Sequence, residues 1–276
     1  MPELPEVETI CRYLREGVDD RPPIIGKEIR SAEILWEGVV ETPTPEEFEQ
    51  RIPGQSVQSI SRRGKYLSIQ LTRDALIMHL RMSGDVITDH GGAPIRKHDR
   101  MLLHFRDDTR LAFNNIRKFG RIWLTPEPDR ILGKLGPEPL ASDFTADTLH
   151  RITHSCSRQI KYLLLDQTML AGMGNIYSDE ALHLAGIHPR TKSDTLTRTQ
   201  TRKLWLAVRE VLKKGIRFQG TSIDWMYRGG DYQRYLKVYS QGGKTCSQCG
   251  TIIERIKVAQ RSTFFCPTCQ PPPSES

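Results

Sequence analysis

Four cysteines near the C-terminal end constrain this chain most. Cys246, Cys249, Cys266 and Cys269 form the pattern C-x2-C-x16-C-x2-C. A two-residue spacer lets both sulfurs of a pair point at one ion, and four thiolates complete a tetrahedral zinc shell. That shell leaves no position for water, so one zinc ion is expected, in a structural role. In a chain with no visible export signal the spacing reads as metal binding rather than disulfides. The intervening "TIIERIKVAQRSTFF" alternates like two strands, which predicts a β-hairpin finger with Arg261 near its tip. Cys11 and Cys156 stand apart and suggest no more than small buried residues.

A 276-residue chain is longer than one core usually needs, so more than one domain is expected. No apolar run approaches the ~20 residues of a membrane span, and no basic segment leads into an apolar one at the start. A cytoplasmic protein without a membrane partner is the expectation. The net charge of +7 is unevenly spread. Residues 1–50 hold 5 basic and 13 acidic side chains, residues 51–140 hold 16 and 9, and residues 141–276 hold 19 and 11. Two separate positive regions suit a polyanion such as nucleic acid, although solvated lysines would give the same count.

Hydrophobic spacing divides the chain. Val7, Ile10, Cys11 and Leu14 predict a helix over 5–17, with Pro5 in its first turn. From about 24 to 124 short apolar and β-branched runs predict strands: "SVQSISRRGKYLSIQL", "ALIMHLRMSGDVIT", "RMLLHF" and "RLAFNNI". The proline-rich stretch at 125–143 reads as a linker. Helices are predicted beyond it, one capped by Thr145, one carrying Ile160, Leu163 and Leu164, one from about Ile176 to Gly186, and one opened by the capping-box spacing "TRTQ" and stopped at Gly215. The expected boundaries are 1–124, 144–237 and 238–270, with a disordered tail at 271–276.

Two short stretches carry candidate chemistry. "AGMGN" at 171–175 opens a helix whose free N–H groups suit a phosphate; Asn175 can cap that helix, contact the phosphate, or both, and Lys161 can hold a second phosphate. A tight helical hairpin explains the glycines equally well. At the other end, removal of Met1 would expose Pro2 as a secondary amine. An α-amino group titrates near ~7.7–8.0, so a usable neutral fraction exists at physiological pH. Attack on an aldehyde-level carbon gives a permanently cationic iminium that acidifies the adjacent carbon and prepares elimination. Glu3 can move protons beside it, and Glu6 lies one helical step away. A stiff terminus and an acidic first turn that suits the helix dipole are the plainer explanation.

Taken in order, the motifs resemble one family. "PELPEVE" at 2–8, "RRGKYL" at 62–67, "HLRMSG" at 79–84, "KHD" at 97–99, "RKFG" at 117–120, "LLLDQTMLAGMGNIYSDEAL" at 163–182, "AGIHP" at 185–189 and the closing "QRSTFFCPTC" are similar to those of the formamidopyrimidine-DNA glycosylases, whose wider family includes endonuclease VIII. The resemblance runs nearly end to end. It implies a multi-domain α+β fold: an N-terminal β-sandwich flanked by helices, a helix–two-turn–helix domain and a C-terminal β-hairpin zinc finger, with DNA in the cleft between domains.

It also implies roles. Pro2 falls on the nucleophile, Glu3 on the acid/base, Glu6 on the second glutamate of the motif, and Lys65 on a hairpin lysine that can hold a phosphate or keep the Pro2 amine neutral. Met82, Arg117 and Phe119 match residues that fill the gap left by an extruded nucleotide. Lys97, His98, Lys161, Asn175, Lys237 and Arg261 match positions that grip the DNA backbone. Thr221 and Ser222 lie in the segment 220–232 that matches a loop closing over the flipped purine. Arg81, Asn115 and Met173 depart from the usual glycine, aspartate and smaller aliphatic.

The implied protein is a monomeric bifunctional glycosylase and abasic-site lyase, acting on 8-oxoguanine and formamidopyrimidines in double-stranded DNA and associated with the nucleoid. An endonuclease VIII-type enzyme for oxidised pyrimidines and a catalytically inert DNA-binding zinc protein are the alternatives.

Overall fold

The computed structural model describes residues 1–19, 21–222 and 229–272. The chain forms two compact units, one comprising Met1–Lys134 and Gln219–Gly230, the other Leu135–Phe218 and Asp231–Ser276. The centre of the expected loop, 223–228, and most of the expected tail, 273–276, lie outside the described residues.

In the first unit, helix α1 (Leu4–Glu16) precedes two sheets. One holds β1 (Ile29–Ile34), β7 (Asp99–Phe105), β8 (Thr109–Asn115) and β6 (Gly84–His90), in that order. The other runs β2 (Val40–Thr42), β9 (Arg121–Thr125), β5 (Ala75–His79), β4 (Tyr66–Leu71) and β3 (Val57–Arg63). Helix α2 (Pro45–Arg51) lies between β2 and β3 in sequence, capped by Thr44, which accepts the Glu47 N–H at 3.2 Å. Inward side chains of the two sheets form one core, Leu67, Ile69, Met78 and Ile122 from the second against Met101, Phe105, Leu111 and Phe113 from the first. This is the expected sandwich. Every residue of the central strand β5 is buried, whereas β3 at the edge buries only Val57 and Ile60.

Helix α1 closes this core with Val7, Ile10, Cys11 and Leu14. Arg15 donates to the Ile60 carbonyl at 3.0 Å, and the Cys11 thiol to that of Ser61 at 3.3 Å. Burial pushes the Cys11 thiol up to about 12, so it is a packing group and not a nucleophile.

The second unit begins inside the proline-rich stretch. One helical turn, α3 (Asp129–Leu132), ends the first unit. The chain beyond is held down by Arg209, which donates to the Pro139 and Ala141 carbonyls at 2.8 and 2.9 Å. Helices α4 (Ala146–His154), α5 (Ile160–Leu165), α6 (Asn175–Ala185) and α7 (Arg198–Arg217) follow, then the hairpin β10 (Glu254–Val258) and β11 (Arg261–Phe265). Thr145 caps α4, and Thr197 and Gln200 form the capping box of α7. The expected stop at Gly215 does not occur: α7 continues to Arg217 with Gly215 buried, packing outweighing glycine's weak helix preference. Among the described residues no helix is long and apolar enough to cross a membrane.

One buried ion pair ties the helices to the hairpin. Lys161 on α5, with 0% of its side chain exposed, donates to Asp179 on α6 at 2.6 Å and to Thr263 on β11 at 2.7 Å. The other Asp179 oxygen accepts the Phe264 N–H at 2.9 Å. Burial pushes the Asp179 carboxyl upward, and Lys161 pulls it back. The phosphate contact expected of Lys161 is thereby corrected: its ammonium is enclosed and points at protein groups.

Removing one partner of a buried pair strands the other charge. Lys161→Met is therefore expected to destabilise the second unit by about 3–5 kcal/mol. Lys161→Met with Asp179→Asn, which keeps an acceptor for Phe264, should recover at least half of that. Urea unfolding of the three proteins checks both statements.

Candidate active site

The head of α1 organises the first group of candidates. Pro2 is buried, and with Met1 attached its nitrogen is an amide. Glu3 is the N-cap of α1 and only 2% exposed. Glu6, also 2% exposed, accepts the Glu3 N–H at 2.9 Å with one oxygen. Its other oxygen accepts the Thr221 N–H at 2.7 Å and the Thr221 hydroxyl at 3.3 Å. One carboxylate thus joins the start of the helix to the stem of the 220–232 loop. Gly220 is required there: its φ is +79°, and a Cβ would lie 2.6 Å from a Glu6 oxygen. Ser222 donates to the Gly230 carbonyl at 3.1 Å and closes the stem.

Lys65 occupies the two-residue turn between β3 and β4, after Gly64 with φ +58°. It is buried, as is His79 on β5. The His79 ring meets Tyr66 edge-on at 4.5 Å, and its Nδ1 accepts the Arg81 N–H at 3.0 Å. Burial first, then Arg81 and Lys65, lower His79 to about 3, so the ring is neutral at physiological pH. His79 stands in the quoted "HLRMSG", but nothing in its spacing marks it as the acceptor that fixes Arg81.

Met82 and Phe119 are 37% and 47% exposed, and Arg117 beside them is also exposed. The Arg117 guanidinium lies 5.2 Å from the Phe119 ring centroid. Their two loops are stitched together underneath. Buried Asn115 donates to the Leu80 carbonyl at 3.3 Å and accepts the Phe119 N–H at 2.9 Å, while the Arg117 N–H meets the Ser83 hydroxyl at 3.0 Å. Trp36 supports the far side, with Lys118 and Arg121 cations 5.4 and 5.6 Å from its ring. Arg81, in place of the usual glycine, holds a left-handed φ of +52°, a strained conformation for a side chain with a Cβ. Lys97 is exposed, and His98 is half-buried with Nδ1 3.3 Å from Arg100.

In the second unit the "AGMGN" turn is braced by Gln167, which accepts the Gly172 N–H at 2.9 Å and donates to the Met173 carbonyl at 2.8 Å. Gly174, not Asn175, is the N-cap of α6. Asn175 is the first helical residue, and its amide donates to the Ser262 carbonyl at 2.9 Å. Arg261 and Lys237 are exposed. Buried Glu180 accepts the N–H groups of Lys237, Val238 and Tyr239 at 2.8–2.9 Å, a positioning role the sequence reading missed. Two-residue spacing gives no hint of it, because the donors lie more than fifty residues away.

The sulfurs of Cys246, Cys249, Cys266 and Cys269 all lie within 4.8 Å of one another. A tetrahedral site with Zn–S bonds of about 2.3 Å needs separations of about 3.8 Å. The observed 3.4 Å for Cys249–Cys266 and 3.9 Å for Cys246–Cys269 fit it. The finger therefore carries one structural zinc.

Known proteins show the same arrangement. The formamidopyrimidine-DNA glycosylase N-terminal domain model matches residues 1–122, the H2TH domain model of that glycosylase residues 135–226, and a zinc finger found in FPG and IleRS residues 243–272. The formamidopyrimidine-DNA glycosylases of Chloroflexus aggregans and Protochlamydia amoebophila are 44% and 40% identical, each alignment covering 98% of this chain and 98% and 99% of theirs. Among solved structures, a Lactococcus lactis FPG mutant in complex with Fapy-dG DNA aligns with a TM-score of 0.90 at 39% identity, over 98% of this chain and 100% of that one.

The neutral His79 has a pH consequence. Between pH 6.5 and about 3 the unfolded chain binds a proton that the folded chain refuses, so stability is lost as pH falls through that window. His79→Asn, which keeps an acceptor for Arg81, should flatten the acid limb by up to about 1.4 kcal/mol per pH unit. Urea unfolding from pH 7 to 4.5 measures the slope; equal slopes would contradict a neutral His79.

Proposed function

The chain belongs to the formamidopyrimidine-DNA glycosylase family, and we propose that it excises oxidised purines, 8-oxoguanine and formamidopyrimidines, from duplex DNA with Pro2 as its nucleophile. It is a DNA glycosylase. The observation that carries the mechanistic reading is the pair of buried carboxylates, Glu3 and Glu6, in the first turn that follows Pro2. Carboxylates are rarely enclosed unless their charge is used or hydrogen-bonded; Glu3 takes the Glu6 N–H in the capping box of α1, and Glu6 takes those of Glu3 and Thr221.

On this reading, loss of Met1 frees the Pro2 nitrogen. The neutral amine attacks C1′ of the damaged nucleotide, the C1′–base bond breaks with its electron pair leaving on the base, and the amine proton passes to Glu3. Glu3 protonates the sugar ring oxygen as the ring opens to the iminium. Loss of a C2′ proton to a carboxylate expels the 3′ phosphate, and a second elimination expels the 5′ phosphate, leaving a one-nucleotide gap. Lys65, a cation on the β3–β4 turn, disfavours protonation of the amine. Glu6 holds the helix start and the loop stem in one geometry.

Met82, Arg117 and Phe119 fill the space of the extruded nucleotide; their exposure on loops braced from beneath supports this. Lys97, His98, Lys237 and Arg261 grip phosphates, and Asn175 positions the finger strand beside Arg261. Thr221 and Ser222 present the loop to the flipped base. The enzyme works as a monomer, in the cytoplasm at the nucleoid. The zinc ion takes no part in the chemistry.

Borohydride reduction on abasic duplex DNA tests the scheme. Wild type should give a covalent protein–DNA band, and Pro2→Gly should reduce its yield at least tenfold. No band from wild type would favour an inert binder, and a full-strength band from Pro2→Gly would move the nucleophile elsewhere. Cleavage of 8-oxoguanine duplex should exceed that of thymine-glycol duplex; the reverse order would assign the endonuclease VIII type.

A further inference from the structure

Helix α6 presents one line of polar side chains to the zinc finger, and the line contains a residue that no role yet covers. Asn175, Asp179 and His183 are spaced four apart, so they lie one above another on a single helix face. The first donates to the Ser262 carbonyl and the second accepts the Phe264 N–H. The third, His183, is buried, and its Nε2 lies 3.7 Å from the Cys246 sulfur. The next turn continues the contact: the Ile187 carbonyl accepts from Gln270, one residue beyond Cys269.

We propose that His183 donates an Nε2–H hydrogen bond to the Cys246 thiolate and thereby sets how tightly the finger keeps its zinc. The four sulfurs already complete the shell, so His183 is a positioning residue and not a ligand. Other donors to these sulfurs belong to the finger itself: the Gln248 N–H to Cys246 and the Cys269 N–H to Cys266, both at 3.5 Å, and the Thr251 hydroxyl and N–H to Cys249. They move with the finger. His183 stands on a helix 63 residues away in sequence, so its nitrogen approaches the sulfur from outside the finger. A donor of this kind draws charge from the thiolate, which slows its protonation and its loss from the ion, and fixes the sulfur's direction.

Two measurements on the full chain test this. Zinc transfer to excess 4-(2-pyridylazo)resorcinol should be about tenfold faster for His183→Phe, which fills the space without a donor, and near wild type for His183→Gln, which restores one. Equal rates for His183→Phe and wild type would overturn the proposal. So would equal acceleration in both variants, since the rate would then follow packing rather than donation. Should His183→Phe fail to fold, long-range 1H–15N spectra of the zinc-loaded wild type decide alone. An Nε2–H tautomer for His183 is expected, and an Nδ1–H tautomer overturns the assignment.

Discussion

A carboxylate removed from water must find N–H donors, and Glu6 finds them on two segments 215 residues apart at the Thr221 contact. That requirement shapes the first unit around α1. The Glu3 N–H occupies one oxygen, so the helix start has one geometry. The Thr221 N–H occupies the other, so the loop stem is fixed against the same group. The close approach then excludes a side chain at position 220. Packing of Val7, Ile10, Cys11 and Leu14 into the sandwich core locks the far end of the helix. A short terminal segment, ordinarily the most mobile part of a chain, is held from both ends.

The second unit meets the same electrostatic problem with more charge. Lys161, Asp179 and Glu180 are all enclosed, and each is satisfied by groups distant in sequence. Pairs of this kind add little net stability over an apolar core of the same shape, because desolvation offsets the attraction. Their effect here is registration. Asp179 and Asn175 reach the strand that follows Arg261, and Glu180 reaches the three residues that lead into the finger. Helix α6 therefore fixes the backbone that carries Lys237 and the strand that begins at Arg261.

Features that depend on local spacing were legible in the sequence. The cysteine pairs, the caps at Thr145 and Thr197 and the helical face of α1 all follow from patterns within about twenty residues. Features that depend on long-range burial were not. Lys161 reads as a solvated cation until Asp179 and Thr263 close over it, the latter 102 residues on. Gly215 reads as a helix stop because its propensity is visible and its tertiary packing is not. His79 lies inside a quoted motif and His183 between two of them, and the partner of His183, Cys246, is brought near only by the fold.

The departures from the family pattern fall under the same logic. Asn115 replaces the usual aspartate at a fully buried position whose two amide atoms face opposite partners, a carbonyl at Leu80 and an N–H at Phe119. An ionised aspartate would keep the second bond and repel the first acceptor. The amide joins both loops, so Met82, Arg117 and Phe119 stand on one braced platform. In the wedge role proposed for them, opening stacked bases costs a few kcal/mol, and loose loops would add ordering entropy to that cost. Arg81, strained at φ +52°, is held in the same platform by His79, so the neighbouring departures belong to one locally rebuilt support. The head of α1, where the chemistry is proposed, carries no such change: "PELPEVE" keeps both carboxylates and the residues that pack the helix onto the sandwich.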